Sequence, residues 1–274
     1  MSYLNSLFSL EKKVAVVTGG TGVLGSAMAK ALSQAGARVV ILGRRIDVAN
    51  TLAKEINKLG GDAIGVSADV LNSQQLHEAK KAILDQFGTI NILVNCAGGT
   101  LPGAAIPTDK TFLDLKIEDF QKVLDLNLTG TVLPSQILAE PIMASKNGCI
   151  INISSMAAFI PITRVVGYSA AKAAVSNFTQ WLAVEMANKF GEGIRVNAIA
   201  PGFFLTEQNR TLLRTPDGGL TERGKSVLAN TPFGRFGLPD ELASTLIYLC
   251  SDGAKFVTGV VVPVDGGFSS FAGV

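Results

Sequence analysis

The chain has 274 residues, of which 47% are apolar and 17% are charged, and it contains 29 glycines. This composition excludes a disordered chain and a plain helix bundle, and it suits a parallel sheet that is buried on both faces. The 24 basic and 22 acidic residues give a net charge of +2 and form no basic stripe. We therefore expect no nucleic-acid partner.

Targeting and metal-binding signals are missing from the sequence. Residues 1–10 lack the features of a secretory signal, and polar residues, glycines and prolines interrupt the long uncharged stretch of residues 89–108. Three scattered cysteines (Cys96, Cys149 and Cys250) and the single histidine, His77, lack metal-ligand spacing. We expect a cytoplasmic protein with buried free thiols, no metal site and no membrane contact.

Apolar, β-branched runs alternate with helix-length segments along the chain. The predicted strands are 14–18, 38–42, 63–67, 90–95, 149–154, 195–199 and 260–264. The predicted helices are 23–34, 48–59, 73–87, 120–144, 168–190 and 239–251. This alternation indicates βαβ crossovers, so we predict an α/β fold with one Rossmann-type, doubly wound, seven-stranded parallel sheet and helices on both faces.

No linker or repeat divides the chain, so we interpret residues 1–274 as a single dinucleotide-binding catalytic domain. The irregular region is 201–239, which is rich in Gly, Thr and Pro. Connections of this length are functional or disordered. Apolar residues within it favour an ordered, partly helical substrate loop, or lid.

A glycine loop follows the first predicted strand. Gly20, Gly22 and Gly25 satisfy G-x-G-x-x-G between a strand and a helix. Such glycines allow a tight turn and close approach to a pyrophosphate, and the helix N-terminus supplies free N–H groups. We predict a dinucleotide here, contacted by Gly19, Thr21, Gly22, Val23, Leu24 and Gly25.

The end of the second predicted strand bears on the choice of dinucleotide. NAD sites usually carry an acidic residue about 20 residues after the glycine loop. This strand instead continues into Arg44 and Arg45, whose guanidiniums suit a 2′-phosphate. NADP(H) is therefore favoured, NAD(H) remains possible, and a solvated arginine pair is the alternative interpretation.

Tyr168 and Lys172 are four residues apart at the start of a long predicted helix, so they share one helical face. An adjacent ammonium favours the phenolate and lowers the pKa of a tyrosine towards the working range. Ser155 follows the fifth predicted strand, at the sheet edge where open α/β sheets bind ligands.

Together these residues resemble the short-chain dehydrogenase/reductase family, and the resemblance extends over residues 14–267. Further matching segments are Asp69-Val70, Asn95-Cys96-Ala97-Gly98, Asn127-Leu128-Thr129-Gly130, Arg195-Val196-Asn197, Pro201-Gly202 with Thr206, and Val264-Asp265-Gly266-Gly267. One position departs from the family's glycine pattern, because Val23 replaces a glycine. We expect its amide to bind phosphate and Gly22 to take over the permissive backbone role.

The resemblance implies the roles of the site residues. Ser155 hydrogen-bonds the substrate oxygen, Tyr168 transfers its proton, Lys172 bonds the nicotinamide ribose, and Asn127 holds a water linked to Lys172. Asp69 and Val70 contact the adenine. The remaining implied cofactor contacts are Asn95, Ala97, Gly98, Pro201, Gly202 and Thr206.

The substrate is less strongly indicated. Arg164 lies four residues before Tyr168, where it could bind a carboxylate, although a loop or subunit contact is an equal alternative. Gly99, Thr100 and Phe203 extend towards the same crevice. The 18–25 loop, residues 155–159 and residues 201–210 resemble a sugar-acid branch of the family, the mannonate oxidoreductases or fructuronate reductases. Such enzymes are often NAD-linked, which conflicts with the Arg44 argument.

Other functions stay open. A gluconate-type dehydrogenase or a 3-oxoacyl-thioester reductase is the alternative within the enzyme class, and a catalytically silent dinucleotide-binding regulator is the alternative outside it. Relatives are commonly tetramers that pair through two long helices. Leu124, Leu128, Leu133, Ile137, Phe178, Trp181 and Leu182 exceed what one sheet face needs, so we predict a homo-oligomer, most simply a homotetramer.

Overall fold

The computed structural model describes residues 3–207 and 209–273, and seven parallel strands within them form one sheet. The strands are β1 (Val14–Thr18), β2 (Arg38–Gly43), β3 (Asp62–Ser67), β4 (Ile92–Asn95), β5 (Gly148–Ile153), β6 (Ile194–Pro201) and β7 (Val261–Val264). Their order across the sheet is β3-β2-β1-β4-β5-β6-β7. The predicted doubly wound α/β fold is confirmed, with each strand end within two residues of its expected position.

Helices cover both faces of this sheet. They are α1 (Tyr3–Phe8), α2 (Val23–Gln34), α3 (Ile46–Lys58), α4 (Ser73–Phe87), α5 (Ile117–Leu124), α6 (Gly130–Leu138), α7 (Glu140–Ser145), α8 (Val166–Phe190), α9 (Arg210–Leu213), α10 (Glu222–Ala229) and α11 (Ala243–Cys250). One core packs α2, α3 and α11 against the sheet. The other packs α4, α6 and α8 against the opposite face. Because both faces are covered, the strands are long apolar runs rather than alternating ones.

The chain reverses its winding direction between β1 and β4. These strands are neighbours, with Thr18 opposite Asn95, although β2 and β3 lie on one side and β5 to β7 on the other. Helices therefore leave the carboxyl ends of β1 and β4 towards opposite faces, which opens a crevice at that edge. The fold thus fixes where a ligand binds.

The single helix predicted over 120–144 is wrong. A π-helical segment, Asp125–Thr129, follows α5, and α6 and α7 are separate short helices. Pro134 lacks an N–H donor, and the Thr131 and Ser135 hydroxyls bond carbonyls four residues back, which bends a helix. The wide π turn directs Asn127 into the protein, where it is fully buried.

The 201–239 segment is partly helical, as predicted, and it contains α9 and α10. Short α9 and α10 enclose a small apolar cluster centred on Leu213, Val227 and Phe236. Gln208, which belongs to the predicted substrate loop, lies outside the described residues. The segment carries its own apolar contacts and begins at Pro201, the last residue of β6.

Several surface expectations need correction. Ile137 and Leu182, predicted to serve an oligomer contact, are buried in the core under α6 and α8, whereas Trp181 is 60% exposed. Cys149 and Cys250 are buried free thiols, but Cys96 is only half-buried. Within the described residues, no helix is long and apolar enough to cross a membrane, and no group of side chains could hold a metal ion.

Candidate active site

A cleft of about 890 Å³ occupies the carboxyl edge of the sheet, where the chain reverses its winding. The glycine loop, the Arg44 and Arg45 pair, Ser155, Tyr168, Lys172 and the start of the 201–239 segment all line it. Of the residues predicted from the sequence to form the site, only Asn95, Asn127 and Arg164 do not. Residues expected to bind a cofactor and residues expected to carry the chemistry thus line one cleft.

The glycine loop brings two backbones into close contact. A Cβ on Gly19 would lie 2.8 Å from Cα of Ala97, and one on Gly25 would overlap the Gly19 carbonyl oxygen. Gly19 has φ +63°, a region that favours glycine. Gly22 has an ordinary φ of −86°, so the expectation that it supplies the permissive backbone is wrong. Val23 is the first residue of α2, a position that does not require glycine.

The N-terminus of α2 faces the cleft without a side-chain cap. Its first-turn N–H groups and the positive end of the helix dipole therefore favour an anion. A Cβ at Gly19 would collide with the Ala97 backbone and one at Gly25 with the Gly19 carbonyl, so the loop can pack beside this N-terminus only with glycine at both positions. This glycine cradle at a free helix N-terminus fits the pyrophosphate of a dinucleotide.

The two arginines after β2 have different surroundings. Arg45 Nη2 donates to the Thr21 carbonyl at 3.0 Å, so this side chain braces the glycine loop. The Arg44 side chain is 77% exposed and lies 3.9 Å from a carboxylate oxygen of Asp69. Both line the cleft, but only Arg44 keeps its guanidinium largely free for a ligand.

Asn95 lies beneath the cleft. Its Nδ2 donates to Ser135 Oγ at 2.8 Å and to Asn152 Oδ1 at 2.9 Å, and Asn152 in turn donates to Thr179. The side chain is buried, both of its donors are used and it does not line the cleft, so the cofactor contact expected of Asn95 stays a prediction. Asn95 ties β4 to its neighbours and thereby positions the residues that follow it.

Ser155, Tyr168 and Lys172 meet at the inner end of the cleft. Lys172 is buried, its Nζ donates to the Ile153 carbonyl at 2.7 Å, and it lies 5.6 Å from the centroid of the Tyr168 ring. The Ser155 hydroxyl hydrogen-bonds Tyr168 and accepts a bond from the Ala157 amide at 3.1 Å. Ser155 follows strand β5, whereas Tyr168 and Lys172 lie on helix α8. The three side chains that the sequence predicts to act together therefore lie close to one another.

Burial controls the titration of this group. It raises the pKa of Tyr168, and the Ser155 hydrogen bond lowers that pKa by less. Burial also lowers the pKa of Lys172 to about 8. The expectation that Lys172 depresses the pKa of Tyr168 is therefore not met in the protein alone, because removing the phenolate from water costs more.

Asn127 is hydrogen-bonded to the loop that follows β4. Its Oδ1 accepts from the Gly99 amide at 3.0 Å, and its Nδ2 donates to the Gly99 and Val123 carbonyls at 2.7 and 2.8 Å. A Cβ on Gly98 would lie 2.7 Å from Asn127 Oδ1 and 3.2 Å from Lys172 Nζ. Asn127 is thus a positioning residue for the Gly98–Gly99 backbone beside Lys172.

Several residues that line the cleft were not expected from the sequence. Arg223 of α10 lines it, as do the apolar side chains of Met156, Ile162 and Leu212. Arg164 lies at its margin, close enough for its charge to affect Arg223. No spacing relates residue 223 to residue 164, so the only available signal was a basic residue in a helix of the predicted lid.

Known proteins share these features. The family model described as enoyl-(acyl carrier protein) reductase matches residues 21–269. An uncharacterized oxidoreductase of Bacillus subtilis is 45% identical, with 97% of this chain and 98% of the relative covered. A solved structure from Haemophilus influenzae, provisionally named a D-mannonate oxidoreductase and containing NAD, is 43% identical with a TM-score of 0.91, covering 97% and 98% of the two chains.

A second solved structure, a gluconate 5-dehydrogenase from Burkholderia cenocepacia in complex with NADP and tartrate, is 32% identical with a TM-score of 0.87. The match covers 98% of this chain and 99% of that one. The glycine cradle, the Ser155–Tyr168–Lys172 group and these whole-chain similarities agree. The chain belongs to the short-chain dehydrogenase/reductase family and is a nicotinamide-dependent oxidoreductase that acts on alcohol and ketone groups.

Proposed function

We propose that the protein interconverts a sugar-acid ketone and its alcohol, D-fructuronate and D-mannonate, with NADP(H) favoured and NAD(H) possible. The observation that carries the proposal is the hydrogen-bonded Ser155 and Tyr168 pair beside buried Lys172 in an open cleft. Similarity to the Haemophilus influenzae protein supports the choice of substrate. The exposed Arg44 guanidinium supports a cofactor that carries a 2′-phosphate.

The catalytic residues divide the work of carbonyl reduction. The Ser155 hydroxyl holds the substrate oxygen, and the Tyr168 hydroxyl gives that oxygen its proton as the carbon is reduced. The bound dinucleotide supplies the hydride. Because burial raises the pKa of Tyr168, the tyrosine carries this proton at neutral pH. Two N–H donors of Lys172 remain beyond its bond to Ile153, and they would bind the nicotinamide ribose.

The other assignments follow the cleft outward. Tyr168 and Lys172 bind the nicotinamide ribose, which Ala97 and Gly98 flank. Asp69 and Val70 contact the adenine. The carboxamide is held by Pro201, Gly202 and Thr206. Gly99, Thr100, Phe203 and Arg164 serve the substrate. Asn127 fixes the loop at Gly99, and a water near its backbone connects Lys172 to solvent.

The organisation of the protein follows from the same proposal. Residues 1–274 form one catalytic domain, and 201–239 form a lid over the substrate. The exposed Trp181 and Val184 on α8 offer an apolar contact for a homotetramer. We place the protein in the cytoplasm, with a small sugar acid as its partner.

A gluconate-type dehydrogenase is the second candidate, favoured by the likeness to the Burkholderia cenocepacia enzyme. Initial rates with D-fructuronate, D-tagaturonate, 5-ketogluconate and an acetoacetyl thioester, each with NADPH and NADH, separate the candidates. We expect the highest kcat/KM for fructuronate with NADPH. A preference for 5-ketogluconate would establish the second candidate, a preference for the thioester would establish a 3-oxoacyl reductase, and cofactor binding without turnover would indicate a silent regulator.

A further inference from the structure

Two positively charged side chains come together at the substrate end of the cleft. Arg223 is the second residue of α10 and lines the cleft, and Arg164 lies just before α8, the helix that carries Tyr168. Burial is the larger cause that lowers the pKa of Arg223, and the nearby charge of Arg164 lowers that pKa further. Like charges that approach one another on a partly buried surface are unfavourable unless an anion joins them.

The Arg223 guanidinium is fixed in direction. Its Nη1 donates to Thr163 Oγ1 at 3.0 Å and its Nη2 to the Thr163 carbonyl at 3.2 Å. These bonds connect the 201–239 segment to the loop that leads into α8. A guanidinium has five N–H donors, so Arg223 keeps three for a ligand.

No acidic residue neutralises this pair. Among residues 3–207 and 209–273, no Asp or Glu lies within 4.0 Å of either guanidinium. Glu207 also lines the cleft but makes no ion pair there. The backbone of Arg164 is in the left-handed region, with φ +76°, and the Ile106 amide holds its carbonyl at 2.9 Å. A non-glycine residue held in that conformation often belongs to a functional site.

We propose that Arg223, assisted by Arg164, binds the carboxylate of the substrate and makes the enzyme selective for ketones that carry one. This inference rests on the proposed function and adds the specificity-determining residue to it. Met156, Ile162 and Leu212 line the same region, and their apolar surface strengthens a charge-assisted hydrogen bond by excluding water.

The phosphates of the cofactor are a less suitable partner for Arg223. They are served at the other end of the cleft by the uncapped α2 and by Arg44. Thr163, which holds Arg223, precedes Tyr168 by five residues and so lies on the substrate side. Loss of the Arg223 charge should therefore leave the dissociation constant of NADPH unchanged.

The test compares D-fructuronate with D-fructose, which has a hydroxymethyl group in place of the carboxylate. Arg223→Gln should lower kcat/KM for fructuronate roughly 10- to 100-fold and leave that for fructose nearly unchanged. Arg223→Lys should retain part of the preference, and Arg164→Gln should lose less than Arg223→Gln. Arg214→Gln is the matched control, because Arg214 bonds Gly218 and packs over Phe236 outside the cleft. An unchanged fructuronate-to-fructose ratio in Arg223→Gln would overturn the inference.

Calorimetric titration of tartrate into the protein with NADP⁺ separates this inference from the proposed function. If the wild-type protein reduces other ketones but no uronate, the proposed substrate is wrong, and tartrate still tests the anion site. Weaker tartrate binding by Arg223→Gln than by Arg214→Gln supports the site. Equal tartrate binding by the two variants, or weaker NADPH binding by Arg223→Gln, contradicts it.

Discussion

The two ends of the cleft are built from different parts of the chain. At the cofactor end, backbone atoms dominate, because glycines at 19 and 25 let the loop, β4 and α2 approach one another. At the substrate end, side chains from three separate segments converge: Ser155, Tyr168 and Arg223. A site that is built from backbone atoms depends on the space around those atoms. A site that is built from side chains depends on the functional group of each side chain. The two ends should therefore respond differently to substitution.

The largest effect that we expect distinguishes chemistry from binding. Tyr168→Phe removes the proton donor and should lower kcat roughly 10²- to 10⁴-fold, while cofactor affinity, measured by NADPH fluorescence, changes little. Tyr248→Phe, on α11 away from the cleft, is the control. Turnover near the wild-type value in Tyr168→Phe would remove the tyrosine from the mechanism.

The glycine cradle should be the most sensitive point of the cofactor end. Gly25→Ala places a methyl group against the Gly19 carbonyl, so we expect the cofactor to bind roughly 10- to 100-fold more weakly. Gly60→Ala controls for stability, because Gly60 has φ +89° and open space outside the cleft. Fluorescence titration of both variants shows whether the affinity loss is local. Equal losses at Gly25 and Gly60 would contradict the cradle.

Arg44 and Arg45, both at the cofactor end, should respond differently to substitution. Arg44→Ala should lower kcat/KM for NADPH by about tenfold and barely change that for NADH, because Arg44 is free for a 2′-phosphate. Arg45→Ala should weaken both cofactors, because Arg45 braces the loop at Thr21. The ratio of kcat/KM values measures this difference. An unchanged ratio in Arg44→Ala would indicate that the residue is merely solvated.

The pH dependence of reduction should follow Lys172. Its pKa of about 8 means that it loses its proton as the pH rises through 8, whereas Tyr168, with a raised pKa, keeps its proton there. Fructuronate reduction should therefore be constant below about pH 7 and fall above pH 8, about tenfold per pH unit. Lys172→Arg should shift that decline to higher pH. A decline at the same pH in both proteins would exclude Lys172 as its cause.

Most of the cofactor end could be predicted from the sequence. Apolar runs define the parallel strands, and glycines at fixed spacing indicate backbone geometry directly, so the sequence alone identifies Gly19 and Gly25. Two local features depend on packing that the motifs do not show. Asn95 follows the expected motif, but its donors are used by Ser135 and Asn152. Gly22 matches the glycine pattern without needing a positive φ.

The substrate end was less predictable. Arg223 is 55 residues from Tyr168, and only the folding of α10 over the cleft brings the two together. The π turn that buries Asn127 results from competition between side-chain and backbone hydrogen bonds around Pro134, which helical periodicity does not show. The balance between burial and charge at Tyr168 also depends on the complete structure. Contacts set by tertiary packing therefore limit prediction at this end.

Isotope transfer tests the central claim most directly. NADPH carrying two deuterium atoms at the nicotinamide C4 is incubated with D-fructuronate and the enzyme, and the product is analysed by NMR. The account predicts D-mannonate with one deuterium on the new carbinol carbon, and a Tyr168→Phe variant that forms it orders of magnitude more slowly. Unlabelled product, or no product from fructuronate while another ketone gains the label, would contradict the assignment.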